Sequence, residues 1–390
     1  MNIVITADFS QEGIDRLKKA GHSVKYICWG PTHHICDENE LIKDLQGSDV
    51  LIVGYEPITR DVLEKTDLKI ICSIRGGPGA NIDLAYATER GIPVIFTLGR
   101  EAIPVADFTM GQIIGLVRQI VKTDRELRRG IFTAPDKEYG SSSDVIWDMS
   151  EEGPWESRKG IELLGKTLGL IGFGTVGQEV AKRARAFSMN VIAYDPYQKD
   201  HAFIVQKVEK VSKEDLFKRS DIVSIHARAT EDNKGMVGAA EFSSMKRGSY
   251  FINNARASMV DEKAMRDALD SGQLAGVALD VFHSEPVREN DPLMKMDNTI
   301  LTPHIAGAGF EVVYRHSDML IDDLFALLNG EPPKAIINPE TISDLNKFKN
   351  MGGGISNSKN TNYQAASSSN DIVEKISQEV IRQLKTSGII

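Results

Sequence analysis

Four side chains that could transfer protons or hold an anion follow apolar runs in the second half of the sequence. They are Arg256 after SYFIN, Asp280 and Glu285 after AGVAL, and His304 after NTIL. Short β-branched runs of this kind predict parallel strands, and open parallel sheets bind their ligands beyond the carboxyl ends of the strands. We therefore expect these side chains to converge on one crevice.

The types of these side chains suit the reduction of a carbonyl group. Its oxygen needs a proton, and His304 is a residue type that holds and releases one near neutral pH. Glu285 would set the tautomer of His304, and the planar guanidinium of Arg256 would grip a carboxylate and polarise the adjacent carbonyl. Taken singly, each residue also has a structural interpretation. His304 could cap a helix, Glu285 could be a solvated turn residue, Asp280 could cap a turn and Arg256 could form a surface ion pair.

A glycine-rich loop, GFGTVG, lies between an apolar run and a helical pattern. Gly172 permits a tight turn, Gly174 lets the backbone approach a pyrophosphate, and Gly177 lets helix and strand pack closely. Thr175 and Val176 complete the loop at the expected helix N-terminus, where phosphate oxygens would bind. The loop predicts a dinucleotide site, although a glycine turn in another doubly wound domain is the alternative.

Asp195 ends the next apolar run, NVIAY, and strengthens the dinucleotide interpretation. A carboxylate there can accept a hydrogen bond from the ribose 2′-OH and would repel a 2′-phosphate. Neither of the next residues, Pro196 and Tyr197, is an arginine that could bind such a phosphate. The expected cofactor is therefore NAD.

Two series of strand-like runs alternate with helical segments. The first comprises NIVIT, SVKYI, DVLIV, KIICS and IPVIF, and the second comprises KTLGLI, NVIAY, DIVSI, SYFIN, AGVAL and NTIL. Such alternation predicts two parallel α/β sheets, and the glycine loop opens the second. We expect one helix over about 103–129, a turn-rich excursion over 131–160 carrying Trp147 and Trp155, and a helix over 314–330 that returns to the first domain.

Bulk composition excludes several classes of protein. The 390 residues allow two domains, and the formal charge of −9 provides no basic field for nucleic acid or an anionic membrane. The sequence shows neither an export signal nor a long apolar run, so we expect a cytoplasmic protein. Cys28, Cys36 and Cys72 predict unpaired thiols in a reducing compartment, and the spacing of Cys28, His33, His34 and Cys36 matches no metal motif.

From Met1 to about Pro339 the sequence resembles the NAD-dependent D-2-hydroxyacid dehydrogenase family. The ordered motifs are RGGPGANIDLAYATERGIP, ELLGKTLGLIGFGTVG, INNARASMVDE, ALDVFHSEP and LTPHIAG. The resemblance implies that Arg256 binds substrate, that Glu285 and His304 form the acid/base pair, and that Asp280 contacts the nicotinamide side. It also implies that the backbone N–H groups of Gly76 and Gly77 hold the substrate carboxylate and that Arg228 meets the cofactor. Arg75, next to these glycines, is a further candidate substrate-binding residue.

The resemblance implies a Rossmann NAD-binding domain inserted into a split, flavodoxin-like substrate domain. The expected substrate domain is 1–118 with 309–339, and the cofactor domain is 119–308. A flexible linker over 340–370 and an amphipathic helix over 371–387 would follow. The family also implies a homodimer.

Departures from the family pattern bear on the substrate. VGYEPIT offers Tyr55 and Glu56 where phosphoglycerate dehydrogenases commonly have an arginine, so a phosphorylated substrate is disfavoured, although Arg75 could still bind a phosphate. HARAT replaces the frequent HxPxT, and INNAR replaces INTAR.

Glu285 argues against a formate dehydrogenase, where a glutamine is usual. An NAD(H)-sensing corepressor-like module of the same fold is the alternative function.

The C-terminal segment DIVEKISQEVIRQLKTSG has apolar residues at spacings of three and four. A polar linker followed by a short amphipathic helix resembles the encapsulation peptides that bring enzymes into the lumen of bacterial microcompartments. A shell protein is one expected partner of this helix, and a contact within its own dimer is the other.

Overall fold

The computed structural model describes residues 1–133, 151–349 and 351. Contacts divide the chain into two compact units, one formed by Met1–Arg100 with the chain from Gly309 onward, and the other by Glu101–Ala308. Each unit contains a parallel sheet with helices, and the second unit interrupts the first in sequence. The predicted fold class is therefore confirmed.

The first unit is built on a five-stranded parallel sheet in the order β2-β1-β3-β4-β5. Its strands are β1 Asn2–Ile5, β2 Ser23–Tyr26, β3 Val50–Val53, β4 Ile70–Ser73 and β5 Val94–Phe96. Its helices in the first segment are α1 Gln11–Lys19, α2 Trp29–Thr32, α3 Glu38–Asp44, α4 Arg60–Glu64 and α5 Leu84–Glu89. Strands β3 and β4 are wholly buried, as expected when helices cover both faces of a parallel sheet.

The second unit is built on a seven-stranded parallel sheet in the order β12-β11-β10-β9-β6-β7-β8. Its strands are β6 Thr167–Ile171, β7 Asn190–Tyr194, β8 Glu209–Lys210, β9 Ile222–Ile225, β10 Ser249–Asn253, β11 Leu274–Leu279 and β12 Thr299–Leu301. Its helices are α6 Ala102–Val117, α7 Ile120–Arg128, α8 Pro154–Ser157, α9 Thr175–Ala186, α10 Asp200–Gln206, α11 Lys213–Arg219, α12 Ala239–Ser244 and α13 Glu262–Asp270. The strand order reverses between β6 and β9, which is where doubly wound sheets bind dinucleotides.

The remaining elements complete the two units. Helices α14 Glu311–Leu328 and α15 Asn346–Lys349 belong to the first unit, and short 3₁₀ helices cover Pro78–Ala80, Glu231–Asn233, Ala257–Met259, Pro292–Lys295 and Pro339–Ile342. In the part of the chain that the structure describes, no helix is both long enough and apolar enough to cross a membrane.

The single helix expected over 103–129 is two helices. Gln119 takes a left-handed conformation, with φ of 55°, and separates α6 from α7. The Val117 carbonyl accepts a hydrogen bond from the Ile161 N–H at 3.1 Å, and the side-chain amide of Gln119 donates to the Lys159 carbonyl at 3.0 Å. Lys159 and Ile161 therefore hydrogen-bond to the residues at the junction of the two helices. Because α6 packs within the second unit, the contacts place the unit boundary at Arg100, ahead of the expected 118/119 boundary.

The described start of the expected flexible linker over 340–370 contributes a side chain to the core of the first unit. Phe348, on α15, is 2% exposed and belongs to the apolar core of the first unit, together with Leu320 and Leu324 of α14. The chain therefore stays packed against this unit through α15. Residues from 352 onward, including the rest of the expected linker and the expected helix over 371–387, lie outside the described residues. So does Trp147 in the excursion.

The prediction that all three cysteines are unpaired is wrong. Cys28 and Cys36 form a disulfide, with their Cα atoms 5.5 Å apart, while Cys72 is free and buried in β4. Helix α2 lies between the two bonded cysteines and folds the loop back on itself. That reversal could not be inferred from the eight-residue separation.

Candidate active site

His304 lies in a tight loop that follows β12. Its φ of 56° is in the left-handed region, which is unfavourable for a residue with a side chain. The loop is held by Asp280, which is fully buried at the end of β11. The Asp280 carboxylate accepts hydrogen bonds from the Thr302 hydroxyl at 2.6 Å and from the backbone N–H groups of Ile305 at 2.9 Å and Ala306 at 2.7 Å.

These contacts give Asp280 a defined structural role. Because its carboxylate accepts hydrogen bonds from residues on both sides of His304, it supports the strained backbone at that residue. Asp280 thus acts as a cap of the His304 loop, which is one of the alternatives left open by the sequence. Its expected contact with the nicotinamide side stays a prediction.

Glu285 and His304 are brought together by the structure. The Glu285 carboxylate lies 2.8 Å from Nδ1 of His304, and its other oxygen accepts a hydrogen bond from the Phe282 N–H at 3.0 Å. With Nδ1 engaged by the carboxylate, Nε2 is the ring nitrogen that can exchange a proton with a substrate. The pair therefore has the geometry of a carboxylate-oriented acid/base.

Electrostatics keep Glu285 ionised. Partial burial opposes the charged form, but the hydrogen bonds from His304 and the Phe282 N–H and the positive charges of His304 and Arg256 outweigh it. The net effect lowers the pKa of Glu285 below its ordinary value. A carboxylate that is charged at neutral pH can stabilise the imidazolium form of His304.

Arg256 lies in the loop that follows β10, near enough to Glu285 for its charge to act on that carboxylate. The loop is shaped by Asn253, whose side chain donates to the Arg256 carbonyl at 3.0 Å and accepts from the Ala255 N–H at 3.0 Å. The Arg256 side chain is exposed, with one guanidinium nitrogen donating to the Ala255 carbonyl at 2.7 Å. The Arg256 guanidinium therefore lies beyond the carboxyl end of β10 and is accessible to a ligand.

Sequence reasoning did not single out Asn253 or Thr302. Both lie inside motifs that were recognised, INNAR and LTPH, but only the folded loops show what their side chains bind. Asn253 shapes the Arg256 loop and Thr302 donates to Asp280. Their closeness in sequence to Arg256 and His304 was the only feature of the sequence that could have indicated their roles.

Glu285 and His304 border a cavity of about 700 Å³ that lies wholly within the second unit. Arg125 of α7 and Arg129, the residue that follows this helix, line it together with apolar side chains such as Phe282. The volume is within the range of sites for small organic ligands.

The glycine loop fits a dinucleotide. A Cβ on Gly172 would lie 2.5 Å from the Ala227 nitrogen, and one on Gly177 would lie 2.4 Å from the Gly172 oxygen, so backbone packing requires both glycines. Gly174 is different, because a Cβ there would meet no atom within 4 Å. Its open side lies at the N-terminus of α9, where a pyrophosphate can approach the backbone N–H groups. Thr175 and Val176 are in the first turn of this helix.

Asp195 is next to this loop. Its carboxylate accepts hydrogen bonds from the Phe173 N–H at 2.8 Å, the Tyr197 N–H at 2.9 Å and the Gln198 N–H at 3.0 Å. The structure thus brings the predicted ribose-binding residue to the glycine turn. Arg228 is exposed in the loop after β9, next to Ala227, which packs on Gly172.

The predicted substrate loop of the first unit follows β4. A Cβ on Gly76 would lie no closer than 3.7 Å to any other atom, and one on Gly77 would meet nothing within 4 Å, so the backbone here is open to a ligand. The Arg75 guanidinium lies 5.8 Å from the centre of the Tyr55 ring. Tyr55 and Glu56 follow β3, and the buried Glu56 accepts a hydrogen bond from the Thr6 hydroxyl at 2.7 Å.

Comparison with known proteins identifies the family of this chain. Residues 110–306 match the family described as D-isomer specific 2-hydroxyacid dehydrogenase, NAD binding domain. The chain is 37% identical over 296 residues to the hydroxypyruvate reductase of Thermotoga maritima, covering 74% of this chain and 88% of that protein. The chain belongs to the D-isomer specific 2-hydroxyacid dehydrogenase family.

Two further comparisons agree with this family membership. It is 34% identical over 355 residues to the D-3-phosphoglycerate dehydrogenase of Methanocaldococcus jannaschii, covering 90% of this chain but only 62% of that protein. The solved structure of D-2-hydroxyisocaproate dehydrogenase matches with a TM-score of 0.69 and 26% identity, covering 87% of this chain and 100% of that one. The second unit therefore contains the NAD-binding domain of a 2-hydroxyacid dehydrogenase.

We expect Asp195→Ala to weaken NADH binding and to reduce the preference for NADH over NADPH. A hydrogen bond to a charged group is worth about 1.5–3 kcal/mol, so the expected loss in NADH affinity is about 10- to 100-fold. Titration of the protein with each cofactor, followed by nicotinamide fluorescence, measures both constants. Asp195→Asn is the matched control, because it keeps a hydrogen-bond acceptor but removes the charge that would repel a 2′-phosphate. An unchanged NADH to NADPH ratio in both variants would assign the preference to other residues.

Proposed function

We propose that this protein reduces a small 2-oxoacid to the D-2-hydroxyacid with NADH, and catalyses the reverse reaction with NAD. The observation that carries the proposal is the 2.8 Å hydrogen bond between Glu285 and His304, beside the charge of Arg256, in an NAD-binding domain of this family. These three side chains would supply the proton and bind the substrate, and the dinucleotide would supply the hydride.

The reaction divides among the side chains of the site. His304 delivers a proton from Nε2 to the carbonyl oxygen, because Nδ1 is engaged by Glu285. Glu285 stabilises the charged imidazole before that transfer, and Arg256 holds the substrate carboxylate and polarises the carbonyl. The dinucleotide held by the Gly172–Gly177 loop and Asp195 would supply the hydride. Asp280 keeps the His304 backbone in position through Thr302, Ile305 and Ala306.

We propose that the substrate is unphosphorylated. Tyr55 and Glu56 stand where a phosphate-binding arginine would be expected, and a buried carboxylate disfavours a second anion nearby. Arg75 and the backbone N–H groups of Gly76 and Gly77 would also bind the substrate carboxylate. Hydroxypyruvate, named in the Thermotoga maritima relative, is a substrate of this class.

A panel of 2-oxoacids assayed with NADH and with NADPH tests the proposed function. We expect NADH oxidation with at least one unphosphorylated member, and weaker activity with the phosphorylated compound, 3-phosphohydroxypyruvate. An NAD(H)-sensing module would bind NADH but oxidise it with no 2-oxoacid. That result would replace the enzymatic proposal with the sensing one.

We propose that the protein is a homodimer in the cytoplasm. Ile120 and Leu127 of α7 and Trp155 of α8 are each more than half exposed, at 52%, 55% and 55%. These large apolar side chains lie on neighbouring helices of the second unit and would gain from burial against a second copy. Light scattering that reports a monomer at assay concentrations would contradict this assembly.

We propose that the C-terminal helix over 371–387 is an encapsulation peptide for a microcompartment lumen. Its apolar residues Ile372, Ile376 and Val380 recur at helical spacing, and a short helix of this kind is marginal without a partner. A truncation that removes 352–390 should therefore leave 2-oxoacid reduction and the melting temperature unchanged. The cut must spare Phe348, because this side chain is 2% exposed in the core of the first unit.

The same proposal predicts that residues 368–390 fused to a fluorescent protein will accumulate in shell particles of a host that produces them. The matched control fusion carries Ile376→Asp and Val380→Asp, which break the apolar face and should leave the reporter diffuse. Equal localisation of both fusions, or loss of activity on truncation, would show that the segment is not a cargo signal.

A further inference from the structure

The Cys28–Cys36 disulfide closes the connection between β2 and α3. Cys28 precedes α2, and Cys36 immediately precedes Asp37, which caps the N-terminus of α3. Both cysteines are buried, at 6% and 7% exposed, although the segment His33–Ile35 between them in sequence is exposed. The sulfur pair is therefore buried in a loop with an exposed stretch, and local opening of that stretch would admit a thiol reagent.

The loop lies at the carboxyl edge of the first sheet. The Gly30 N–H donates to the Thr6 carbonyl at 2.9 Å, which ties α2 to the end of β1. The order of this sheet, β2-β1-β3-β4-β5, reverses between β1 and β3, and ligands of such sheets bind outside the carboxyl ends at the reversal. The disulfide therefore borders the part of the first unit where a ligand is expected.

A series of ring contacts joins the disulfide loop to the predicted substrate loop. Trp29, next to Cys28, packs edge-on against Tyr55, with ring centres 5.2 Å apart and an angle of 72°. The same indole contacts the His33 ring edge-on at 5.2 Å. Tyr55 in turn lies beneath the Arg75 guanidinium, which is 5.8 Å from its ring centre. A change in the disulfide loop can thus reach Arg75 through two aromatic side chains.

We propose that Cys28 and Cys36 form a thiol–disulfide regulatory site that sets substrate affinity by positioning Trp29, Tyr55 and Arg75. The inference rests on the proposed function, because it assigns Arg75 to the substrate. The bonded form holds Trp29 against Tyr55 and keeps Arg75 over the tyrosine ring. The reduced form frees the His33–Ile35 segment and loosens that stack.

The chemistry is thiol–disulfide exchange with a dithiol reductant. A thiolate of the reductant attacks one sulfur of the Cys28–Cys36 bond and forms a mixed disulfide, and its second thiol then displaces the protein sulfur. The protein gains two electrons and two protons, and both cysteines become thiols. The reductant leaves as its own disulfide.

Cys72 provides the internal control. It is fully buried in β4, and burial, with a smaller contribution from the negative charge of Asp323, raises the pKa of its thiol far above neutrality. A thiol that stays protonated is unreactive, so Cys72→Ala should leave the redox response intact.

The experiment uses the full-length protein equilibrated in dithiol redox buffers. The sequence has three cysteines, so a thiol count after unfolding should give one thiol for the bonded form and three for the reduced form. We expect reduction to raise the KM for an unphosphorylated 2-oxoacid about two- to fivefold, the effect of losing one exposed cation–π contact. The kcat and the affinity for NADH should stay constant.

Substitutions separate this regulation from a structural role. Cys28→Ser and Cys36→Ser should show the high KM in every buffer, while Cys72→Ala should shift as the wild type does. Reduction should also change the tryptophan fluorescence of the wild type, and Trp29→Phe should abolish that change. An equal KM in the one-thiol and three-thiol forms would overturn the inference.

A metal site is the competing outcome. Ligand atoms of His34, Cys36 and Glu40 lie within 4.8 Å of one another, as do those of Cys28, Cys36 and Asp44. If the reduced protein binds one equivalent of Zn²⁺ and only zinc restores the low KM, the cysteines are metal ligands and the redox proposal fails. If the bonded protein reduces no 2-oxoacid at all, the proposed function fails and the inference with it. If the bonded protein reduces a 2-oxoacid and its KM is the same in the bonded and reduced forms, only the inference fails.

Discussion

His304→Gln is expected to lower kcat for 2-oxoacid reduction by about 10²- to 10⁴-fold, the usual contribution of a positioned general acid. Glutamine is similar in size but cannot deliver a proton near neutral pH. NADH affinity should be unchanged, because the Gly172–Gly177 loop and Asp195 do not contact this side chain through any described hydrogen bond. Steady-state kinetics and a separate NADH titration measure the two effects.

The matched control is His201→Gln, the same substitution at an exposed position of α10. It should leave kcat and NADH affinity at wild-type values. Near-normal turnover of His304→Gln would remove this residue from the mechanism. A parallel loss of NADH affinity would instead indicate that the loop held by Asp280 had collapsed.

Arg256→Ala is expected to reduce kcat/KM for a 2-oxoacid by about 10²- to 10³-fold, comparable to the loss of one preorganised donor at a developing charge. The guanidinium is proposed both to hold the carboxylate and to polarise the carbonyl, so KM should rise and kcat should fall together. Initial rates over a range of substrate concentration separate the two constants.

Two variants accompany this measurement. Arg256→Lys keeps the charge but loses the planar fork, so it should recover only part of the activity. Arg247→Ala removes a guanidinium that binds the Ser271 carbonyl at 3.0 Å, and it should have little effect. Unchanged substrate saturation in Arg256→Ala would contradict a role in substrate binding.

Much of the sheet architecture could be predicted from the sequence. Eleven predicted runs correspond to strands, because a short run rich in β-branched residues and bounded by turn residues is a local signal of a strand. The missing strand, β8, is only Glu209–Lys210, both exposed on the edge beside β7. Two polar residues have no apolar pattern, and only pairing with β7 makes them a strand.

The reactive residue types could be predicted as well, since reduction of a carbonyl needs a proton donor and an anion-binding group. The pairing of Glu285 with His304 could be proposed because both follow neighbouring strands, β11 and β12. The role of Asp280 could not be decided in that way. Whether a buried carboxylate contacts a ligand or caps a loop depends on which N–H groups reach it, and in this structure Ile305 and Ala306 do.

The sequence by itself thus determined the two α/β units, the glycine loop and the residues able to perform the chemistry, because periodicity and side-chain type are local properties. Tertiary structure alone decided the break at Gln119, the burial of Phe348 and the Cys28–Cys36 bond. Each of these depends on a partner that lies elsewhere in the chain or on the direction in which a loop turns. Such contacts are set by the packing of the whole unit, which no short segment of sequence contains.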